Sequence, residues 1–114
     1  MDLLALARRY LTAMPGQQGV AVAAMFTADG VLDDGNGGHH RGPDAIAAFI
    51  DSLAASVAVE EVAVRQAPCR VTVFGRVGSD DLAQSLFRWV FHFDGELIAH
   101  LGNSYLRELP DFVK

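Results

Sequence analysis

Two adjacent carboxylates, two adjacent histidines and one early tyrosine carry most of the chemistry this sequence could perform. Asp33 and Asp34 close a short run, Val31-Leu32, just ahead of the glycine-rich Gly35-Asn36-Gly37-Gly38. Neighbouring side chains of an extended segment point to opposite faces. One of the two acids is therefore a solvated loop acid, and the other turns toward the inner face of the sheet. A carboxylate placed there is desolvated and its pKa rises, which suits a general base. The residues alone leave open which of the two it is. His39 and His40 follow the glycine loop. Together with the two acids they raise the question of a metal site. Their spacing matches no closed-site signature and adjacent histidines diverge in extended chain, so no metal is predicted.

Tyr10 falls on the apolar stripe of the first helical segment, with Leu3, Ala7 and Met14. A buried tyrosine hydroxyl needs a partner, either within the core or on a guest in a pocket. Phe87, Trp89, Phe91 and Phe93 alternate along one face of a later strand, with Gln84, Arg88 and His92 on the other. Such a row is core or the wall of a pocket, and Trp89 would offer that pocket only its indole N–H. His100 lies on the last strand, where apolar residues occur at both parities and leave its direction unsettled. Cys69 is the only cysteine, so no internal disulfide forms, and with no cation arguable beside it the thiol reads as inert.

The elements that must position these groups read clearly. Asp2 caps a helix that Pro15-Gly16 ends. A second short helix is predicted from about Gln18 to Phe26, with Val22, Met25 and Phe26 inward. Thr27 to Gly30 reads as a turn and Val31 to Asp34 as a short strand. Gly42-Pro43 opens a third helix, with Asp44 in its first turn and Ile46, Phe49, Ile50 and Leu53 on its buried face. From Val57 the pattern turns to β, with strands predicted over Val59–Ala67, Arg70–Val77, Leu82–Phe93 and Leu97–Leu106. Pro68, Gly78-Ser79-Asp80 and Asp94-Gly95 separate them, the last a hairpin signal. The order is three helices with one short strand, then a four-stranded antiparallel meander that must curl around the helices to share a core. Strands apolar on both faces imply a second buried surface, most simply a homodimer interface on the outer sheet face.

Composition narrows the possibilities further. The chain has 114 residues and is read as one domain spanning 1–114. A hydrophobic fraction of 51% lets it bury a core without disulfides or metals. The net charge is -5 and the basic residues are scattered, which argues against nucleic acid and anionic membrane as partners. The longest apolar run, from Gly19 to Phe26, is too short to span a bilayer, and the first residues lack the basic character of a signal peptide. A cytoplasmic protein is expected.

Four segments together resemble one family. Ala7-Arg8-Arg9-Tyr10-Leu11-Thr12-Ala13-Met14 resembles the first-helix segment of Δ5-3-ketosteroid isomerase, and Tyr10 falls on that enzyme's oxyanion-hole tyrosine. Phe26-Thr27-Ala28-Asp29-Gly30-Val31-Leu32-Asp33-Asp34 resembles the segment ending in its catalytic aspartate, which falls on Asp34. Arg41-Gly42-Pro43-Asp44-Ala45-Ile46-Ala47-Ala48-Phe49 resembles the turn and helix shared across the superfamily, and Phe91-His92-Phe93-Asp94-Gly95-Glu96-Leu97-Ile98 its final hairpin. The likeness covers nearly the whole chain and identifies it as a SnoaL-like, ketosteroid isomerase-like member of the nuclear-transport-factor-2-like superfamily. The superfamily includes isomerases, polyketide cyclases, dehydratases, epoxide hydrolases and non-enzymatic binders. Two departures stand out. Trp89 occupies the position of the isomerase's second oxyanion donor, a protonated aspartate. His100 matches the last-strand histidine of SnoaL-like cyclases, but Gly102 replaces the aspartate that follows it.

The resemblance implies an α+β, cystatin-like cone-shaped roll: three N-terminal helices packed in a curved antiparallel, mixed sheet around a hydrophobic pocket. It implies Asp34 as a base that removes a proton α to a carbonyl and Tyr10 as the donor that stabilises the enolate oxygen, with no cofactor. Trp89, His100, Phe87, Phe91 and Phe49 would bind a small apolar molecule, steroid- or polyketide-like. The alternative is a non-catalytic small-molecule-binding or dimerisation domain of the same fold.

Overall fold

A computed structural model describes residues 2–53, 58–79 and 82–111. The expected Val57, the Asp80 of the predicted turn and the side chain of Gln84 lie outside what it describes. Helix α1 spans Leu3–Ala13, and the Asp2 carboxylate accepts the Ala5 N–H at 3.1 Å, as expected of its cap. A 3₁₀ turn over Met14–Gly16 ends it at the predicted Pro-Gly. Helix α2 is only Gly19–Ala23, shorter than predicted. The chain leaves it early because Phe26 already pairs with Ile98 across the sheet. The run Val22, Met25, Phe26 suits either structure, and sheet pairing decides it.

Strand β1 therefore covers Phe26–Asp33. The predicted turn at Thr27–Gly30 is an irregularity within this strand, where the register shifts between Phe26 and Val31. A short strand β2, His39–Arg41, was not legible in the sequence and returns antiparallel to β1. Helix α3 runs Pro43–Asp51 with its proline in the first turn and Asp44 beside it. The long strands are β3 Ala58–Ala67, β4 Arg70–Ser79, β5 Leu82–Asp94 and β6 Leu97–Leu106.

The sheet is six-stranded in the order β2-β1-β6-β5-β4-β3. All neighbours are antiparallel except β1 and β6, which are parallel. The predicted meander of β3 to β6 is thus extended by β1 and β2 on its β6 edge. The helices cover one face. Ala7, Tyr10 and Leu11 of α1, Val22 of α2 and Ile46 and Ile50 of α3 are buried against Val71, Val73, Trp89, Phe91 and Leu101. Helices α2 and α3 meet at Gly19, where a Cβ would collide with the Ala47 carbonyl and come within 2.7 Å of Asp51 Oδ1. This is the α+β roll expected from the sequence. Among the described residues no helix is long and apolar enough to cross a membrane.

Candidate functional site

The register of three strands decides which acid faces the helices. Leu32 pairs with His40 of β2 and with Leu101 of β6, and both leucines are fully buried. That rung points inward. Asp33 pairs with His39 and Gly102, one step out of phase, so it points to the outer face. Asp34 follows and turns inward again, as alternation requires.

The glycine loop then wraps the Asp34 carboxylate. The Asp34 N–H donates to the Gly38 carbonyl at 3.1 Å, closing a tight turn in which Gly35 and Gly37 have φ of 83° and 87°. Asp34 Oδ1 accepts the backbone N–H groups of Asn36 at 2.8 Å and Gly38 at 3.0 Å, and Oδ2 lies 2.9 Å from His40 Nε2. A Cβ on Gly38 would fall onto Asp34 Oδ2 and 3.1 Å from His40 Nε2, so only glycine leaves room for this pair. His40 is fixed by stacking on Phe49, with ring centroids 4.4 Å apart.

These contacts correct the expectation that burial would raise the pKa of the inward acid. The hydrogen bond from His40, followed by that from the Asn36 amide, outweighs desolvation, and the Asp34 carboxyl is held below its ordinary value. Tyr10 behaves in the opposite way. It is 1% exposed, and burial alone pushes its hydroxyl well above the ordinary phenol range. Its ring meets Phe91 and Phe26 edge-on at 5.5 and 6.2 Å.

Tyr10 and Asp34 line one cavity of about 270 Å³. Phe49, Phe87, Trp89 and Tyr105 supply its aromatic walls, and Met14, Leu53 and Val77 its aliphatic ones. Phe87 stacks on Trp89 at 5.5 Å and meets Tyr105 at 4.2 Å. Asn36, Ser85 and Asn103 add polar groups. No Lys or Arg lines the cavity among the described residues.

Two residues expected in the wall lie elsewhere. Phe91 is fully buried behind Tyr10 and belongs to the core. His100 pairs with Val31, on the rung opposite in phase to Leu101, and so faces outward. There its Nε2 lies 2.7 Å from Asp33 Oδ2, while His39 Nδ1 contacts Oδ1. Burial pulls the Asp33 pKa up, but the hydrogen bonds from His100 and His39 prevail and the net shift is downward. His92 approaches His100 with ring centroids 5.6 Å apart, and burial followed by the charges of His100 and Arg70 lowers its pKa. Among the described residues no group of three or more His, Cys, Asp or Glu side chains is placed to hold a metal ion. Cys69 is exposed in the β3–β4 turn with φ of 59°. The outer face over β4 and β5 mixes Phe74 and Val90 with Arg65, Arg70 and Arg88, a less apolar surface than the alternation implied.

Two site residues, Asn103 and Tyr105, escaped the sequence reading, and His40 entered it only as a candidate metal ligand. Asn103 shares the inward phase of Leu101, a parity that the apolar residues on both faces of β6 concealed. Tyr105 follows at the next inward step. His40 could have been found by alternation from His39 only once β2 was recognised as a strand.

Residues 7–101 match the family described as SnoaL-like domain. A solved protein from Sphaerobacter thermophilus is 35% identical, with 90% of this chain and 94% of that one covered and a TM-score of 0.82. A hypothetical protein with ketosteroid isomerase-like fold from Catenulispora acidiphila, in complex with trimethylamine, is 20% identical over 90% of this chain and 85% of that one, with a TM-score of 0.80. The epoxide hydrolase/cyclase-like enzyme SalBIII, of pyran ring formation in polyether salinomycin, is 15% identical over 92% and 91% of the two chains, with a TM-score of 0.78. The last two likenesses are of fold alone. No curated protein matches the chain.

Proposed function

The chain belongs to the SnoaL-like domain family, and from that premise we propose that it binds a small, largely apolar carbonyl compound and moves a proton α to the carbonyl without a cofactor. It would thus be an isomerase, cyclase or lyase of ketosteroid isomerase-like chemistry. One observation carries this reading. Asp34 and Tyr10 line the same cavity, the acid with its proton affinity lowered, which keeps it ionised though a weaker base than a desolvated carboxylate, and the phenol with its affinity raised, which keeps it protonated. Groups separated in this way divide into base and donor. At neutral pH Asp34 is ionised and Tyr10 holds its proton.

The step follows from those states. An Asp34 oxygen takes the proton from the α carbon. The C–H pair becomes the enolate double bond, and the carbonyl π pair moves onto oxygen. Tyr10 donates a hydrogen bond to that oxygen as charge develops, between the aromatic walls. Asp34 then returns the proton to the same or another carbon. The cavity of about 270 Å³ lies below the range of roughly 300–1,000 Å³ typical of drug-sized ligands, which favours a one- or two-ring molecule over a four-ring steroid.

The test is deuterium exchange at the α carbons of 2-tetralone, followed by proton NMR. Exchange above buffer is expected, with a loss of roughly 10²- to 10⁴-fold in Asp34→Asn. Asp33→Asn, on the outer face, leaves the rate unchanged. Exchange no faster than buffer ends the catalytic reading.

A second, non-catalytic reading has its own support. Aromatic rings around an ionised carboxylate, with no lining cation among the described residues, suit an alkylammonium ligand. The trimethylamine complex of the Catenulispora protein points the same way. Calorimetric binding of tetramethylammonium, lost in Asp34→Asn and unaccompanied by ketone exchange, would select it. A homodimer through the outer sheet face and a cytoplasmic location belong to either reading, and a monomer by light scattering removes the dimer.

A further inference from the structure

Asn103 stands on β6 directly opposite Trp89 of β5, and both line the cavity. Two residues earlier on the same face Leu101 is fully buried. Among the described residues the Asn103 Oδ1 is the one buried side-chain oxygen or nitrogen without a hydrogen-bond partner. Such an atom lowers the stability of the free protein, and a leucine would suit this apolar wall better. The contrast with Asp34 is sharp, since that carboxylate meets two backbone N–H groups and an imidazole. The fold answers the charged acceptor of its cavity and leaves the neutral one open.

We propose that Asn103 determines specificity by taking a hydroxyl of the ligand, at a point apart from the carbonyl that Tyr10 holds. This rests on the reading of the cavity as a carbonyl site. Tyr10 packs on the rung of Phe91 and Leu101, whereas Asn103 occupies the next rung, roughly 7 Å further along the strands. A hydroxyl is the small neutral group that satisfies an amide whichever way round it stands, because it donates to Oδ1 or accepts from Nδ2 by turning its hydrogen. An ether oxygen only accepts, and a C–H does neither. A hydroxyl also loses water on entering an apolar cavity, so it is favoured only where the wall replaces that bond. The substrate class is a small hydroxylated cyclic ketone.

The experiment compares 2-tetralone, 6-hydroxy-2-tetralone and 6-methoxy-2-tetralone by calorimetry, with quenching of Trp89, the only tryptophan of the chain, as a second readout. In the wild type the hydroxy compound binds about 10- to 100-fold tighter than either companion. In Asn103→Leu that preference disappears or reverses. The wild-type comparison needs no variant, so a poorly folded Asn103→Leu leaves the test standing. A hydroxy compound bound no tighter than the parent, or a preference that survives Asn103→Leu, overturns the proposal. Exchange measured on the same ketones keeps the two claims apart. Preference without exchange upholds Asn103 and removes the catalytic reading, and exchange without preference does the reverse. A cavity that binds none of the three overturns both.

Discussion

Asp34 Oδ2 lies 2.9 Å from His40 Nε2, and the histidine is in turn held face-on against Phe49. The base is therefore supported from behind by a cavity-lining ring. It gains its low proton affinity first from this histidine and then from the Asn36 amide, against desolvation. Because the folded pKa is lowered, the charged carboxylate stabilises the fold above the ordinary value of 3.8, and that contribution is lost as pH falls through the folded value. The acid limb of the exchange rate should accordingly lie below 3.8. In His40→Phe the largest lowering contribution is gone and burial still raises, so the limb moves to higher pH. A pH–rate profile of 2-tetralone exchange checks both, and a limb that does not move in His40→Phe contradicts the assignment.

Removing one oxyanion donor costs roughly 10²- to 10³-fold in rate in other enzymes. Tyr10→Phe should slow exchange by a factor in that range. The ring contacts with Phe26 and Phe91 remain, so thermal stability should change by about 1 kcal/mol or less. Kinetics and a melting curve on the same sample separate the two effects. An unaltered rate removes Tyr10 from the reaction.

Gly38 offers a test of the carboxylate's position rather than its charge. A methyl group there would displace Asp34 Oδ2 and crowd His40. The obstructing atoms are side-chain tips, which can move without unfolding the chain. Gly38→Ala should melt close to the wild type yet lose exchange by an amount approaching that of Asp34→Asn. Retained exchange would show that the carboxylate needs no such cage.

Much of the architecture was legible because the signals were local. The Asp2 cap, the Pro15-Gly16 stop, the Pro43 start and the Asp94-Gly95 hairpin each lie next to the boundary they set. The alternation Phe87, Trp89, Phe91, Phe93 gave β5 its faces, but not the depth at which each ring sits. Trp89 reaches the cavity while Phe91, one inward step on, is covered by Tyr10. The start of β1 and the existence of β2 were hidden because both depend on pairing across the sheet.

The order of residues by itself determined most of the elements, the two-fold alternation along each long strand, and the presence of one inward acid beside a glycine loop. Only the tertiary structure decided that this acid is Asp34, that His40 holds it, that His100 faces out with Asp33, and that Asn103 faces in. The reason is register. A strand's own sequence fixes which residues share a face, but which face meets the helices is set by the partner strand and what covers it. Here the inward rung of Leu32, His40 and Leu101, with both leucines buried, made that choice for three strands together.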